Sequence, residues 1–120
     1  MIALILDDRC TGCEACVKVC PTDVFAPAPA LAAARTPIIA RQDDCQTCFL
    51  CELHCPQDAI WVDPDCEAPH PADAEAVRAA PTLGQLRRHS GWNPGDAQAH
   101  PNEHWFMEQM FGLAAASRAV

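Results

Sequence analysis

Four short apolar runs stand out in the first half of the chain. They cover residues 2–6, 24–25, 37–40 and 59–62, and Asp or Pro bounds each of them. Branched and aromatic residues are frequent in these runs, a composition that favours short β-strands. The last two runs follow the first two at an offset of 35 residues. The pattern therefore predicts two similar halves, each opened and closed by a short strand.

Cysteine residues fill the gap between the two strands of each half. The run CxxCxxCxxxCP occurs twice with unchanged spacing, a repeat that chance does not explain. Residues 17–19 and 52–54 separate the last two cysteines of each run and suit a single helical turn. The cysteines of the first run are Cys10, Cys13, Cys16 and Cys20, and those of the second are Cys45, Cys48, Cys51 and Cys55.

This spacing predicts two [4Fe–4S] clusters. Three thiolates two residues apart fit a tight loop around one cluster, whereas the fourth, followed by Pro, points away from it. Structural zinc is the main alternative, but zinc sites usually pair one CxxC with a distant CxxC or with two histidines. Disulfides need an oxidising compartment and leave the ninth cysteine, Cys66, without a partner. We expect Cys66 to be a spare thiol.

With these motifs, residues 1–64 resemble a bacterial two-cluster ferredoxin, whose halves are the segments DDRCTGCEACVKVCPTDVF and DDCQTCFLCELHCPQDAI. The resemblance implies an α+β domain with approximate two-fold symmetry, in which two short hairpins and two short helices surround two clusters. In two-cluster proteins the fourth cysteine of each run binds the other cluster. Cluster I then takes Cys10, Cys13, Cys16 and Cys55, and cluster II takes Cys45, Cys48, Cys51 and Cys20.

The composition explains why such a domain needs its clusters. Hydrophobic residues make up 50% of the chain, but many of them are Ala or Cys, so few large apolar side chains are left for a core. Domains below about 70–80 residues usually need a metal or disulfides to be stable. We therefore expect the cluster-free chain to be largely unfolded. The sequence offers no candidate for an active site of its own.

The net charge of −8 argues against nucleic acid as a partner. Residues 1–66 carry ten of the acids, and an acidic surface speeds encounter with a basic patch on another redox protein. No apolar run approaches the roughly 20 residues of a membrane-spanning helix, and no signal segment precedes the first strand. We expect a cytoplasmic protein.

Residues 26–37 join the two halves through a segment that contains Pro27, Pro29 and Pro37. These prolines prevent a long helix. We expect a surface loop that covers one flank of the clusters. A contact loop for a partner protein is the alternative.

Residues 65–120 are predicted to form an extended C-terminal arm with short helices. Prolines divide it into short lengths, so it cannot build a second core by itself. Residues 82–89 predict a short basic helix, and residues 104–119 predict another, capped by Asn102. Arg87 and Arg88 in the first of these helices are expected to be solvated.

The arm also holds four of the seven aromatic residues, at Trp92, Trp105, Phe106 and Phe111. Disordered tails are usually poor in aromatics. In the last predicted helix Phe106, Met110 and Leu113 recur at the spacing of one apolar stripe. We expect residues 67–120 to dock on another polypeptide. Packing on the chain's own body and formation of a homodimer are the alternatives.

Ferredoxin modules with long arms resemble dedicated subunits of flavoenzymes. Examples are the iron–sulfur β subunit of adenylylsulfate reductase and the ferredoxin partners of fumarate-reductase-like flavoproteins. This resemblance implies an electron-transfer subunit of a heteromer, which relays single electrons between an external donor or acceptor and the FAD of a larger oxidoreductase subunit. The alternative is a free-standing soluble ferredoxin that diffuses between partners. Trp61, on the last strand, is expected to pack over a cluster.

Overall fold

The computed structural model describes residues 1–68 and 72–90, together with residues 112, 115 and 116. It is a small mixed structure of short helices and strands. The elements with defined bounds are, in chain order, β1 (Ile2–Ile5), α1 (Ala15–Val19), β2 (Phe25–Ala26), β3 (Ile38–Ile39), a 3₁₀ turn (Gln42–Asp44), α2 (Leu50–His54), β4 (Ile60–Val62), α3 (Ala74–Ala79) and α4 (Gln85–His89).

The four predicted strands are confirmed, and they pair across the two halves. β1 pairs antiparallel with β4, with Ile2 opposite Val62 and Ile5 opposite Ile60, and a bulge interrupts the register between Ile2 and Leu4. β2 pairs antiparallel with β3. Each two-stranded sheet therefore contains one strand from each half. The return strand of a half does not pair with the strand that opens it.

The 35-residue repeat is visible in the backbone as well as in the sequence. Helix α2 begins and ends 35 residues after helix α1, and the two helices pack against each other. Both helical turns start earlier than predicted, at Ala15 and Leu50. The left-handed conformations repeat at the same offset: they lie at Gly12 and Thr47, at Glu14 and Phe49, and at Asp23 and Asp58.

The main core lies between the two sheets and helices α1 and α2. Its aliphatic and aromatic part is small, as the composition predicts. The buried members are Ile2, Val24, Phe25, Ala59, Ile60 and Val62, together with the thiols of Cys16, Cys51 and Cys55. Cysteine thus supplies part of the interior surface.

A second group of buried residues joins the body, residues 1–64, to the start of the C-terminal arm. Leu6 of the body is buried against Val77 and Leu83, and Trp61 packs against the same group. Residues 72–90 therefore lie on the ferredoxin-like body. This described part of the arm supplies two of the three buried residues in the group, Val77 and Leu83.

Helix α3 was not expected from the sequence, whereas α4 confirms the predicted basic helix. Asp73 caps α3 by accepting a hydrogen bond from the backbone N–H of Ala76 at 3.2 Å, and Val77 is its buried residue. α4 packs against α2. The predicted helix over 104–119 and its stripe lie outside the described residues. Within residues 1–68 and 72–90, no helix has the length and apolar character that crossing a membrane requires.

The loop over residues 26–37 is largely exposed, as expected, and Leu31 is fully exposed. Its far end returns to the first cysteine loop. A Cβ added to Gly12, whose φ is +76°, would lie 2.6 Å from the Cβ of Arg35. Arg35 therefore packs directly on the backbone of Gly12, and only glycine leaves room for it there.

Candidate iron–sulfur sites

The two cysteine runs line two cavities. Four thiols line the first cavity, those of Cys10, Cys13, Cys16 and Cys55. Four others line the second, those of Cys20, Cys45, Cys48 and Cys51. The fourth cysteine of each run thus faces the cavity of the other run. These are the two groups that the sequence analysis assigns to clusters I and II, and the ligand assignment itself stays a prediction.

The local backbone positions each thiol by a left-handed residue close to it. Gly12 and Thr47 sit two residues after the first cysteine of their run, and each backbone N–H lies 3.4 Å from that cysteine's Sγ. Residues Glu14 and Phe49 take positive φ at the start of α1 and α2. Because these turns curl the loop, consecutive cysteines point to one centre and not along a strand.

The fourth cysteines are held in the same way. The N–H of Val24 lies 3.4 Å from Sγ of Cys20, and the N–H of Ala59 lies 3.4 Å from Sγ of Cys55. A further bond crosses the halves, from the N–H of Ile2 to Sγ of Cys45 at 3.2 Å. Backbone N–H groups aimed at sulfur stabilise negative charge on it, and such bonds help to set the potential of iron–sulfur proteins.

The cysteines differ in exposure within each group. Cys13 and Cys48 are exposed, whereas Cys16, Cys51 and Cys55 are buried. Burial is the main reason that the pKa of Cys16 is raised to about 11 and that of Cys51 to about 12, and neighbouring thiols contribute to the rise. For Cys20, burial also raises the pKa, but N–H groups of Val24 and Thr22 outweigh it and lower the pKa overall. In the metal-free chain the thiols of Cys16 and Cys51 are thus protonated, so metal binding must release protons.

Three further sequence expectations have definite outcomes. Trp61 does not pack over a cluster cavity but against the Leu6 and Val77 group. Arg87 and Arg88 are not simply solvated, because both contact the carboxylate of Asp58, at 2.8 Å and 3.4 Å. Cys66 is exposed and lies outside both groups of cavity thiols.

The donor chemistry of both cavities fits an iron–sulfur cluster. Each has four thiols, otherwise mostly apolar walls and backbone N–H groups directed at sulfur. In the second half the buried hydroxyl of Thr47 has no hydrogen-bond partner in the described part of the chain. Because its backbone N–H points to Sγ of Cys45, a sulfur-rich group beside that cysteine could also accept a bond from the hydroxyl.

Comparison with known proteins leads to the same chemistry. A family model described as a 4Fe-4S dicluster domain matches residues 9–60. The chain is 39% identical over 57 residues to a ferredoxin of Methanothermococcus thermolithotrophicus, and the match covers 46% of this chain and 87% of the relative. The chain belongs to the dicluster ferredoxin family. The ferredoxin-type domain therefore binds two [4Fe–4S] clusters and acts as an electron carrier.

Two other ferredoxins match the chain over similar lengths. Ferredoxin-1 of Caulobacter vibrioides is 36% identical over 66 residues, which are 53% of each chain. An uncharacterized ferredoxin of Methanocaldococcus jannaschii is 38% identical over 58 residues, 47% of this chain and 86% of its own length. No solved structure matches the chain significantly. Helices α3 and α4 lie beyond the residues that the dicluster model matches.

Proposed function

We propose that this ferredoxin carries single electrons between other redox proteins, with its clusters ligated in crossed fashion. In this assignment cluster I is held by Cys10, Cys13, Cys16 and Cys55, and cluster II by Cys45, Cys48, Cys51 and Cys20. When bound, each cluster supplies a one-electron redox couple. The chain's own part is to hold the sulfurs, shield them from water and present an entry and an exit for the electron.

The observation that carries the proposal is the exposure of one cysteine in each group. Cys13 and Cys48 reach the surface while their cavity partners are partly or fully buried. Electron tunnelling becomes much slower with distance, so a partner must approach a ligand that lies at the surface. Two such points suit a protein that receives an electron at one side and delivers it at the other.

The charge of the body supports a partner with a basic docking patch. Asp43 and Asp44 are exposed next to Cys45, and the whole chain carries a net charge of −8. Attraction between opposite charges raises association rates and is screened by salt. The cytoplasm, where thiols stay reduced, is the compartment that goes with this proposal.

The test uses the intact protein reconstituted anaerobically. We expect about eight irons per chain, uptake of two electrons in a redox titration, and rapid electron transfer from the reduced protein to a basic c-type cytochrome. The second-order rate constant should fall as salt is raised. A metal content dominated by zinc, or reduction of the cytochrome at a rate independent of salt, would count against the proposal.

A second candidate is the subunit of a flavoenzyme. It is favoured by the aromatic residues of the last 30 positions, which lie beyond the matched family domain: Trp92, Trp105, Phe106 and Phe111. In this alternative residues 91–120, the part of the predicted docking arm after α4, contact an FAD-containing subunit. The relatives reported above are named as ferredoxins and favour the diffusing carrier.

Purification of the tagged chain from its native source separates the two candidates. A stoichiometric FAD-containing chain would establish the subunit. In that case a variant ending at Ser90 should lose the partner and keep about eight irons. Isolation of the chain alone as a monomer supports the diffusing carrier, and isolation as a homodimer assigns the last 30 residues to self-association.

A further inference from the structure

The two halves contain equivalent aspartates that the rest of the chain treats differently. Asp23 and Asp58 are related by the 35-residue offset, and both have positive φ, 55° and 51°. Each stands three residues after the fourth cysteine of its run. Each also precedes the residue whose N–H points to that cysteine's sulfur, at 3.4 Å in both halves. The backbone of the two turns is therefore the same.

The surroundings of the two carboxylates are not the same. The side chain of Asp23 is 81% exposed and lies 3.4 Å from Arg41. The side chain of Asp58 is 16% exposed. Arg87 donates to it from two nitrogens, Nε to Oδ1 at 2.8 Å and Nη2 to Oδ2 at 3.1 Å. Arg88 adds a weaker contact at 3.4 Å.

The start of helix α4 lies directly against the carboxylate of Asp58. Gly84 precedes α4 with φ of 75°. A Cβ at Gly84 would meet all three atoms of the Asp58 carboxylate at 2.3–2.6 Å. Arg88 also donates to the carbonyl of Leu83 at 3.2 Å. The carboxylate is thus enclosed between Gly84, Arg87 and Arg88. We call these three residues the clamp, and they lie beyond the matched family domain.

We propose that Arg87 is a positioning residue for the Cys55 thiolate, which it holds through Asp58 and the turn that aims the Ala59 N–H at sulfur. This inference rests on the proposed assignment of Cys55 to cluster I. The clamp fixes a turn that is unfavourable for a residue with a side chain. A fixed N–H···S bond stabilises the more negative, reduced state. The segment after the family domain thereby raises the potential of cluster I.

The test compares three variants of the full-length holoprotein by redox titration with paramagnetic resonance detection. Arg87→Ala should make one of the two midpoint potentials more negative and leave the other unchanged. Arg87→Lys keeps the charge but loses the two-nitrogen grip, and it should shift the same potential in the same direction. Arg88→Ala removes a charge from the same place but keeps the grip, so it should shift that potential less than Arg87→Lys does.

Two patterns would overturn the inference. If Arg88→Ala shifts the potential while Arg87→Lys does not, the arginines act only through their charge. If neither Arg87 variant moves either potential at full iron content, the clamp has no influence on the cluster. Should Arg87→Ala not hold eight irons, Arg87→Lys and Arg88→Ala decide between these outcomes.

Cluster identity is established separately with Cys13→Ser and Cys48→Ser, which mark the potentials of clusters I and II. The inference expects the Arg87 variants to move the potential that Cys13→Ser moves. If the Arg87 variants instead move the potential that Cys48→Ser marks, Cys55 does not bind cluster I. In that case both the crossed assignment and the proposal for cluster I are wrong. Failure of the carrier function appears independently, as a wild-type protein without two reducible clusters.

Discussion

The carboxylate of Glu52 accepts a hydrogen bond from the backbone N–H of Val62 at 3.1 Å inside the core. It joins helix α2 to strand β4, and only 5% of Glu52 is exposed. Burial raises the pKa of Glu52 above its usual value, although the bond from Val62 lowers it in part. Glu52 is thus tolerated in an interior with few large apolar side chains because its carboxylate accepts a hydrogen bond from the backbone N–H at the end of strand β4.

Replacement of Glu52 should show whether its hydrogen bond or its charge matters. Glu52→Ala leaves the buried Val62 N–H without a partner, and we expect a loss of about 1–3 kcal/mol in unfolding free energy. Glu52→Gln keeps an acceptor and removes the desolvated charge, so its stability should equal or exceed that of the wild type. Anaerobic denaturation followed by cluster absorbance measures both. Equal losses in the two variants would contradict this interpretation.

Leu83 should be required for the stability of the ferredoxin body although it lies outside the matched domain. It is buried against Leu6 and Val77, and truncation of a buried Leu to Ala typically costs about 2–5 kcal/mol. Leu86, in the neighbouring helix, is 42% exposed, so Leu86→Ala is the matched control with an expected effect within about 0.5 kcal/mol. The midpoint of denaturation checks both. If the two variants behave alike, the 72–90 segment does not pack on the body in solution.

Serine substitutions can establish the crossed ligation. Cys20→Ser should perturb the cluster that Cys48→Ser perturbs, and Cys55→Ser the one that Cys13→Ser perturbs, because each pair lines one cavity. The measurement is the paramagnetic resonance spectrum of each variant after partial reduction. A grouping by sequence, with Cys20 acting together with Cys13, would refute the crossing.

Gly12 should be replaceable only if Arg35 is removed. Gly12→Ala combines a left-handed backbone with a Cβ 2.6 Å from the Cβ of Arg35. The backbone part alone costs about 1–2 kcal/mol, and the clash adds to it. Iron should therefore be lost faster from the cluster that Cys13→Ser marks, as followed with a chelator. The double variant with Arg35→Gly relieves the clash and should recover part of the loss, and no recovery would show that the clash is not the cause.

Much of the domain could be predicted because its information is local. The cysteine spacing, the prolines behind each run and the offset of 35 residues lie in short stretches of sequence, and the structure confirms the strands and the two cluster helices that follow from them. Helix α3 carried only weak signals, Asp73 at its cap and Glu75 in its first turn. Its six residues are too few for a stable isolated helix, so its formation depends on Val77 packing against Leu6.

Arg87 and Arg88 illustrate what local patterns do not contain. Adjacent arginines on a short helix usually point apart, which is why solvation was the expected state. Their common partner, Asp58, lies about 30 residues earlier in the chain, and no spacing rule connects the two segments. The prediction that Trp61 packs over a cluster is wrong for a similar reason. Trp61 of strand β4 packs against a later segment of the chain, and the sequence does not reveal where that segment lies.

By its sequence alone this protein is a two-cluster ferredoxin, since the ligands of an iron–sulfur cluster must stand at fixed intervals on a tight loop and those intervals can be read directly. The tertiary structure decided which strands pair and where residues 72–90 lie. Both relationships join positions far apart in the chain, and the placement of residues 72–90 depends on burial of Leu6 and on the enclosure of the Asp58 carboxylate, whose counterpart Asp23 stays exposed.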